Sequence, residues 1–206
     1  MTTLHDEAVV VDVHTHAVGF VPQPFRSLYR LVNRTTMPPD ESFDVLRAAG
    51  VDAVVAKAVG DPVVTRWYRG GAWKAVDRQL VSAAAQIEAA GGQIARTPDD
   101  VLAARAAGRP AAILGVEGAD ALGDDVDRVD QWHARGVRVV VLVHLGDNQF
   151  GTTCMPWQDY VGPLPTRRRG DLGLSPLGRR VVQRMQDLGI VVDVSHADRR
   201  TTFDIV

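Results

Sequence analysis

The chain is 206 residues long, 46% apolar and 23% charged, which fits one globular domain with a sizeable core, read here as a single unit over 1–206. A net charge of -2 argues against a nucleic-acid binder, which carries a basic excess. One cysteine, Cys154, excludes an internal disulfide and points to a reducing, cytoplasmic compartment; the chain opens on no basic-then-apolar leader, and no apolar run approaches the roughly 20 residues of a membrane span.

The first predicted strand is the run Val9-Val10-Val11-Asp12-Val13, near 8–13, and it leads directly into His14-Thr15-His16. The stretch 18–39 holds several prolines without clear periodicity and reads as a long loop with a helical piece near 25–32. A helix-then-Gly-then-strand phrase follows and recurs. Phe43 to Gly50 precedes a strand near 51–58, Trp132 to Gly136 precedes one near 137–144, and Met185 to Gly189 precedes one near 190–195. Glycine is the residue that accepts the left-handed conformation at a helix end. Between these units lie a helix over 74–90, a short helix opening at Thr97-Pro98-Asp99-Asp100, and a strand near 111–117. Asn148 opens a second long loop, 148–173, whose Arg167-Arg168-Arg169 reads as a solvated cluster. Ser175-Pro176 then starts a helix with Leu177, Val181, Met185 and Leu188 on one stripe.

The strand runs are Val, Ile, Leu and Ala without regular polar alternation, the pattern of strands buried on both faces in a parallel sheet. Strands alternating with helices, and long loops after strand ends, predict an α/β fold of the (β/α)8 TIM-barrel type. Five units are counted where a full barrel has eight, and the chain stops inside its fifth helix. The expectation is therefore the first five-eighths of a barrel, C-terminally truncated, with two open sheet edges and a tendency to oligomerise.

Candidate chemistry gathers at strand ends. His14 and His16 project to one side because side chains alternate with period two, and two imidazoles aimed into one space grip a divalent metal. Glu117 ends an apolar strand; it is a rim salt-bridge partner or a metal ligand able to bridge two ions. His196 follows the last strand and completes three nitrogens and a carboxylate. His144 ends the 137–144 run as a fourth imidazole ligand, a substrate-binding group or a rim histidine. His5 and His133 read as surface residues and Cys154 as a bystander thiol. No phosphate-binding glycine loop, dinucleotide fingerprint or nucleophile elbow is present.

The blocks Ile113-Leu114-Gly115-Val116-Glu117-Gly118-Ala119, Gly136-Val137-Arg138 through His144, and Gly173-Leu174-Ser175-Pro176-Leu177-Gly178 through Asp193-Val194-Ser195-His196 resemble the membrane dipeptidase family of zinc metallopeptidases. The resemblance runs from about Val9 to the C-terminus. It implies an amidohydrolase-like barrel holding two zinc ions and hydrolysing dipeptides through a metal-bound hydroxide. His14 resembles a ligand of the first metal, Glu117 the bridging carboxylate, and His196 a ligand of the second. His144 is similar in place to the histidine that binds substrate and stabilises the oxyanion. His16 stands where the family usually has aspartate, removing a negative charge. The family's further second-metal histidine, catalytic aspartate and substrate-binding arginine lie beyond the fifth unit. The implied partner is a small dipeptide-like substrate, with no nucleic acid and no membrane, and with a homo-oligomer as the assembly to test. Hydrolysis of another amide, such as an N-acyl amino acid, and a catalytically inactive barrel piece stand as alternatives.

Overall fold

In the computed structural model, residues 4–16, 23–34, 43–156 and 172–206 are described. In chain order the elements are α1 (Leu4–Glu7), β1 (Val11–Thr15), α2 (Gln23–Asn33), α3 (Phe43–Ala48), β2 (Ala53–Val59), α4 (Pro62–Thr65), α5 (Gly71–Ala89) and β3 (Gln93–Ile94). They continue with α6 (Pro98–Ala106), β4 (Ala111–Glu117), a 3-10 turn (Ala119–Leu122), α7 (Arg128–Arg135), β5 (Val137–Val141), α8 (Pro176–Asp187), β6 (Val191–Asp193) and α9 (Arg199–Ile205).

The capping signals act as read. Gly50, Gly136 and Gly189 all take positive φ at the ends of their helical segments, where a side chain would be strained. Thr97 and Asp100 form a reciprocal capping box on α6, and Ser175 Oγ accepts from Gly178 N at the start of α8.

All strand pairs are parallel, in the order β1-β2-β4-β5-β6, with β3 added beside the start of β4. Along the path β1-β2-β4-β5-β6 neighbour order follows chain order, so it has no reversal point of the kind a doubly wound fold requires. It curls in one direction as a half-barrel. One face carries Val54, Ala56, Ala58, Ala112, Leu114, Val116 and Val140, which pack with Val76, Leu80, Ile87, Trp132, Val181 and Met185 of the helices as the main core. Trp73 stacks on Trp132 with ring centroids 5.8 Å apart, joining α5 to α7.

The opposite face holds the register rows Val59–Glu117–Val141–Asp193 and Lys57–Gly115–Val139–Val191. Lys57 is 1% exposed, and its Nζ donates to Asp193 Oδ2 at 2.6 Å. A Cβ on Gly115 would lie 3.0 Å from Lys57 Cγ and 3.1 Å from both Val139 O and Val55 Cγ1. The bare glycine leaves room for the lysine where it crosses the strand.

The structure departs from the sequence reading in several places. β2 and β4 are buried along their length, but the two edge strands are not: Val13 is 69% exposed and Val191 60%. These strands have a neighbour on one side only. β1 begins three residues later than predicted, so His14 lies inside the strand rather than after it. β5 and β6 are shorter than predicted, and His144 and His196 fall in the turns beyond them. The two-residue β3 and the four-residue α4 carry too little periodicity to be read. The helical piece expected near 25–32 is present as α2, two residues longer at its start and one at its end, and the rest of the 18–39 loop falls mostly outside the described residues. Arg167-Arg168-Arg169, in the second predicted loop, also lies outside them. His133 lies partly exposed on α7, as expected of a surface residue; the His5 side chain lies outside those described. Among the described residues, no helix is long and apolar enough to cross a membrane.

Candidate metal centre

Five side chains converge at the C-terminal ends of the parallel strands, where barrel active sites form. His14 is in β1 and His16 just past it, Glu117 is the last residue of β4, and His144 and His196 each follow their strand by three residues. All four imidazoles face one carboxylate. Glu117 is 1% exposed, with His14 Nε2 3.6 Å from Oε1, His16 Nε2 3.1 Å from Oε2, and His144 Nε2 and His196 Nε2 each 3.5 Å from Oε1.

These groups form two three-residue sets, His14–His16–Glu117 and Glu117–His144–His196, each with donor atoms close enough to hold an ion. The first set is closely spaced, with His14 Nε2 and His16 Nε2 3.2 Å apart. Four donors about 2.0–2.1 Å from a tetrahedral zinc stand about 3.4 Å from one another, which matches these separations.

Hydrogen bonds settle which ring nitrogens face inward. His16 Nδ1 lies 3.2 Å from Lys57 O, and a carbonyl only accepts, so Nδ1 carries the proton. That leaves the His16 Nε2 lone pair facing Glu117 Oε2. Oε2 is buried and has no hydrogen-bond partner among the described residues, and two facing lone pairs require a cation or a further proton between them. Burial works to lower the His16 pKa, and the Glu117 carboxylate overrides it, leaving the imidazole above its ordinary value. For Glu117, burial works upward and is overcome by the surrounding imidazoles, His16 and His196 foremost, then His144 and His14. The carboxyl ends well below the usual carboxylate range. His14, dominated by burial, falls below its ordinary value. The donor set is one imidazole pair on each side of a shared anionic carboxylate, with an orphaned oxygen turned into it. It fits divalent metal.

Every site residue expected from the sequence is in this cluster, and the structure adds three groups that sequence reasoning missed. Asp61, two residues past β2, is 2% exposed, and its Oδ2 accepts from His144 Nδ1 at 2.8 Å. Thr153 Oγ1 is 2.8 Å from both His144 O and His196 O, tying together the two turns that carry those histidines. Lys57, one register row below Glu117, forms an ion pair with Asp193 of Glu117's own row. A lysine inside Val-Val-Ala-Lys-Ala-Val was a readable anomaly. Asp61 before Pro62 reads equally well as a helix cap, and Thr153 carries no signal. His196 has φ +65, a left-handed conformation that a non-glycine residue holds only under local constraint. Cys154 is exposed and belongs to neither set.

Comparison with known proteins bears on family and fold. The chain is 37% identical over 107 residues to an uncharacterized dipeptidase of Schizosaccharomyces pombe, a match covering 52% of this chain and 24% of that protein. It is 31% identical over 112 residues to the dipeptidase tcpJ of Claviceps purpurea, covering 54% of this chain and 24% of tcpJ. In fold it is similar to a metallo peptidase from Rhodobacter sphaeroides solved with a phosphinate mimic of the dipeptide L-Ala-D-Ala. That match has a TM-score of 0.70 at 19% identity and covers 95% of this chain and 61% of that one. The chain thus matches about a quarter of the length of these curated relatives. The family model for membrane dipeptidase (peptidase family M19) matches residues 1–206, and the chain belongs to that family of metallopeptidase hydrolases.

Proposed function

We propose that the converging histidines and Glu117 form a two-zinc centre that hydrolyses the peptide bond of dipeptides, carried by one partial-barrel domain over 1–206. His14, His16 and Glu117 hold the first ion, and Glu117 and His196 hold the second, with the carboxylate shared. The observation that carries this reading is the orphaned Glu117 Oε2, buried 3.1 Å from His16 Nε2, which in turn lies 3.2 Å from His14 Nε2. Bound zinc would supply an acidified water as nucleophile and polarise the scissile carbonyl.

The chain's own residues then orient and exclude. Val59 and Val141 flank Glu117 in its register row and keep water from beneath the carboxylate. His144, held from behind by Asp61, faces the substrate carbonyl and is the group placed to meet the oxyanion as it develops. The second set, Glu117–His144–His196, favours one further reading, with His144 as a ligand of the second ion.

The test is zinc titration by calorimetry, followed by hydrolysis of L-Ala-D-Ala and L-Ala-L-Ala on the same sample, with an N-acetyl amino acid as comparison substrate. About two zinc ions per chain and dipeptide turnover are expected. Zinc binding with turnover of the acylated substrate alone would replace dipeptidase with deacylase. Failure to bind zinc would overturn the proposal.

A further inference from the structure

We propose that Asp61 is a positioning residue for His144, deciding which ring nitrogen of that histidine faces Glu117; this rests on the reading of His144 as a site residue and deepens it. Asp61 spends its two carboxylate oxygens on two different partners. Oδ1 accepts from Val63 N at 2.8 Å and caps α4. A cap needs no more than that. Oδ2 instead accepts from His144 Nδ1 at 2.8 Å, across 83 residues of sequence. The carboxylate is 2% exposed, so water does not compete for this contact.

The consequence is directional. An ionised carboxylate only accepts, so His144 Nδ1 keeps its hydrogen, and the neutral ring carries its lone pair on Nε2, which lies 3.5 Å from Glu117 Oε1. Orientation of an imidazole by a buried acceptor behind it is the usual way a site fixes its tautomer. The surroundings hold the pair in place. A Cβ on Gly118 would lie 3.2 Å from Asp61 N and 3.3 Å from His144 Cβ, so the chain passes close to both residues. Thr153 Oγ1 meets the His144 carbonyl at 2.8 Å.

Asp61→Asn separates the cap from the positioning role. Val63 N requires an oxygen opposite it, so the introduced amide turns its NH2 toward His144 and needs an acceptor there. The ring must then carry its hydrogen on Nε2. The measurement is a long-range proton–nitrogen correlation spectrum of the 15N-labelled full chain, recorded at pH 8 after chelator treatment, with His144 assigned by loss of its signals in His144→Gln. The unsubstituted chain is expected to show the Nδ1–H tautomer of His144, and Asp61→Asn to shift the tautomer ratio by about tenfold or more toward Nε2–H, the worth of one charge-assisted hydrogen bond. Asp61→Ser, which keeps a cap but is too short to reach the ring, should relax the same preference and serves if Asp61→Asn does not fold. An unchanged His144 tautomer in the folded variants would overturn the positioning role. Zinc titration of the unsubstituted chain separates the two proposals: a tautomer shift without zinc binding overturns the metal reading alone, and zinc binding without the shift overturns the positioning role alone.

Discussion

Lys57 of β2 and Asp193 of β6 touch at 2.6 Å although β4 and β5 lie between their strands. In a flat sheet three strand spacings would separate them by about 14 Å, more than the two side chains can span. The ion pair therefore measures the curl of the sheet, and it ties the last strand to the second across the concave face. Removing one partner should be far worse than removing both. Asp193→Asn leaves a buried lysine charge and should cost about 3 kcal/mol in urea unfolding. The double variant Lys57→Met/Asp193→Leu should recover most of that loss. Additive losses in the double variant would show that the pair is not coupled.

Metal content tests the site directly. His14→Ala and Glu117→Ala should each abolish bound zinc, because both remove a donor from the closely spaced set. His133→Ala, on α7 and outside both sets, should keep it. Elemental analysis of the three purified variants gives the answer, and equal zinc in all three would reject the ligand assignment.

Asp120 should make stability fall as pH rises through the weakly acid range. Burial, with the nearby Asp61 charge adding to it, pushes its carboxyl up to about 6 from an ordinary 3.8. Between about pH 4 and pH 6 the folded chain keeps a proton that the unfolded chain has released. Stability from this group is fully present below that window and lost across it. Asp120→Asn removes the effect, so the difference in urea midpoint between variant and parent should move in the variant's favour from pH 4 to pH 7. A pH-independent difference would mean that the carboxyl titrates normally.

Gly60 is held by backbone contact. A Cβ there would lie 2.1 Å from Gly118 O, and Gly60 N already donates to Glu117 O at 2.8 Å. Gly60→Ala should part the ends of β2 and β4 and lower stability by about 2 kcal/mol, in the range of overpacked sites. Because the strain falls beside Glu117, zinc affinity should drop with it. A thermal scan matching the unsubstituted chain would refute the clash.

Much of this was legible because one physical cause dominated each signal. Gly50, Gly136 and Gly189 marked helix ends because few other residues adopt that backbone, and the β-branched runs after Gly50 and Gly136 marked buried parallel strands. Glu117 was visible as a charge ending an apolar strand. The rest was hidden where one residue type serves two purposes or where the cause is long-range. Asp61 before a proline looks like a cap, and it is one; its second oxygen acts on a histidine 83 residues away, which no local pattern records. The exposure of Val13 and Val191 depends on what lies beside β1 and β6, and a strand's own residues do not state that.

The bare position at Gly115 has a consequence for inheritance. Lys57 reaches Asp193 past the gap left on β4, so positions 57, 115 and 193 are physically coupled. A lineage that enlarges residue 115 presses on the lysine, and one that loses the lysine removes the nearest of three contacts, leaving Val139 O and Val55 Cγ1 at 3.1 Å. Among relatives, an alanine or larger residue at 115 should therefore coincide with the absence of this ion pair, and its spread across the family would trace the order in which these changes occurred.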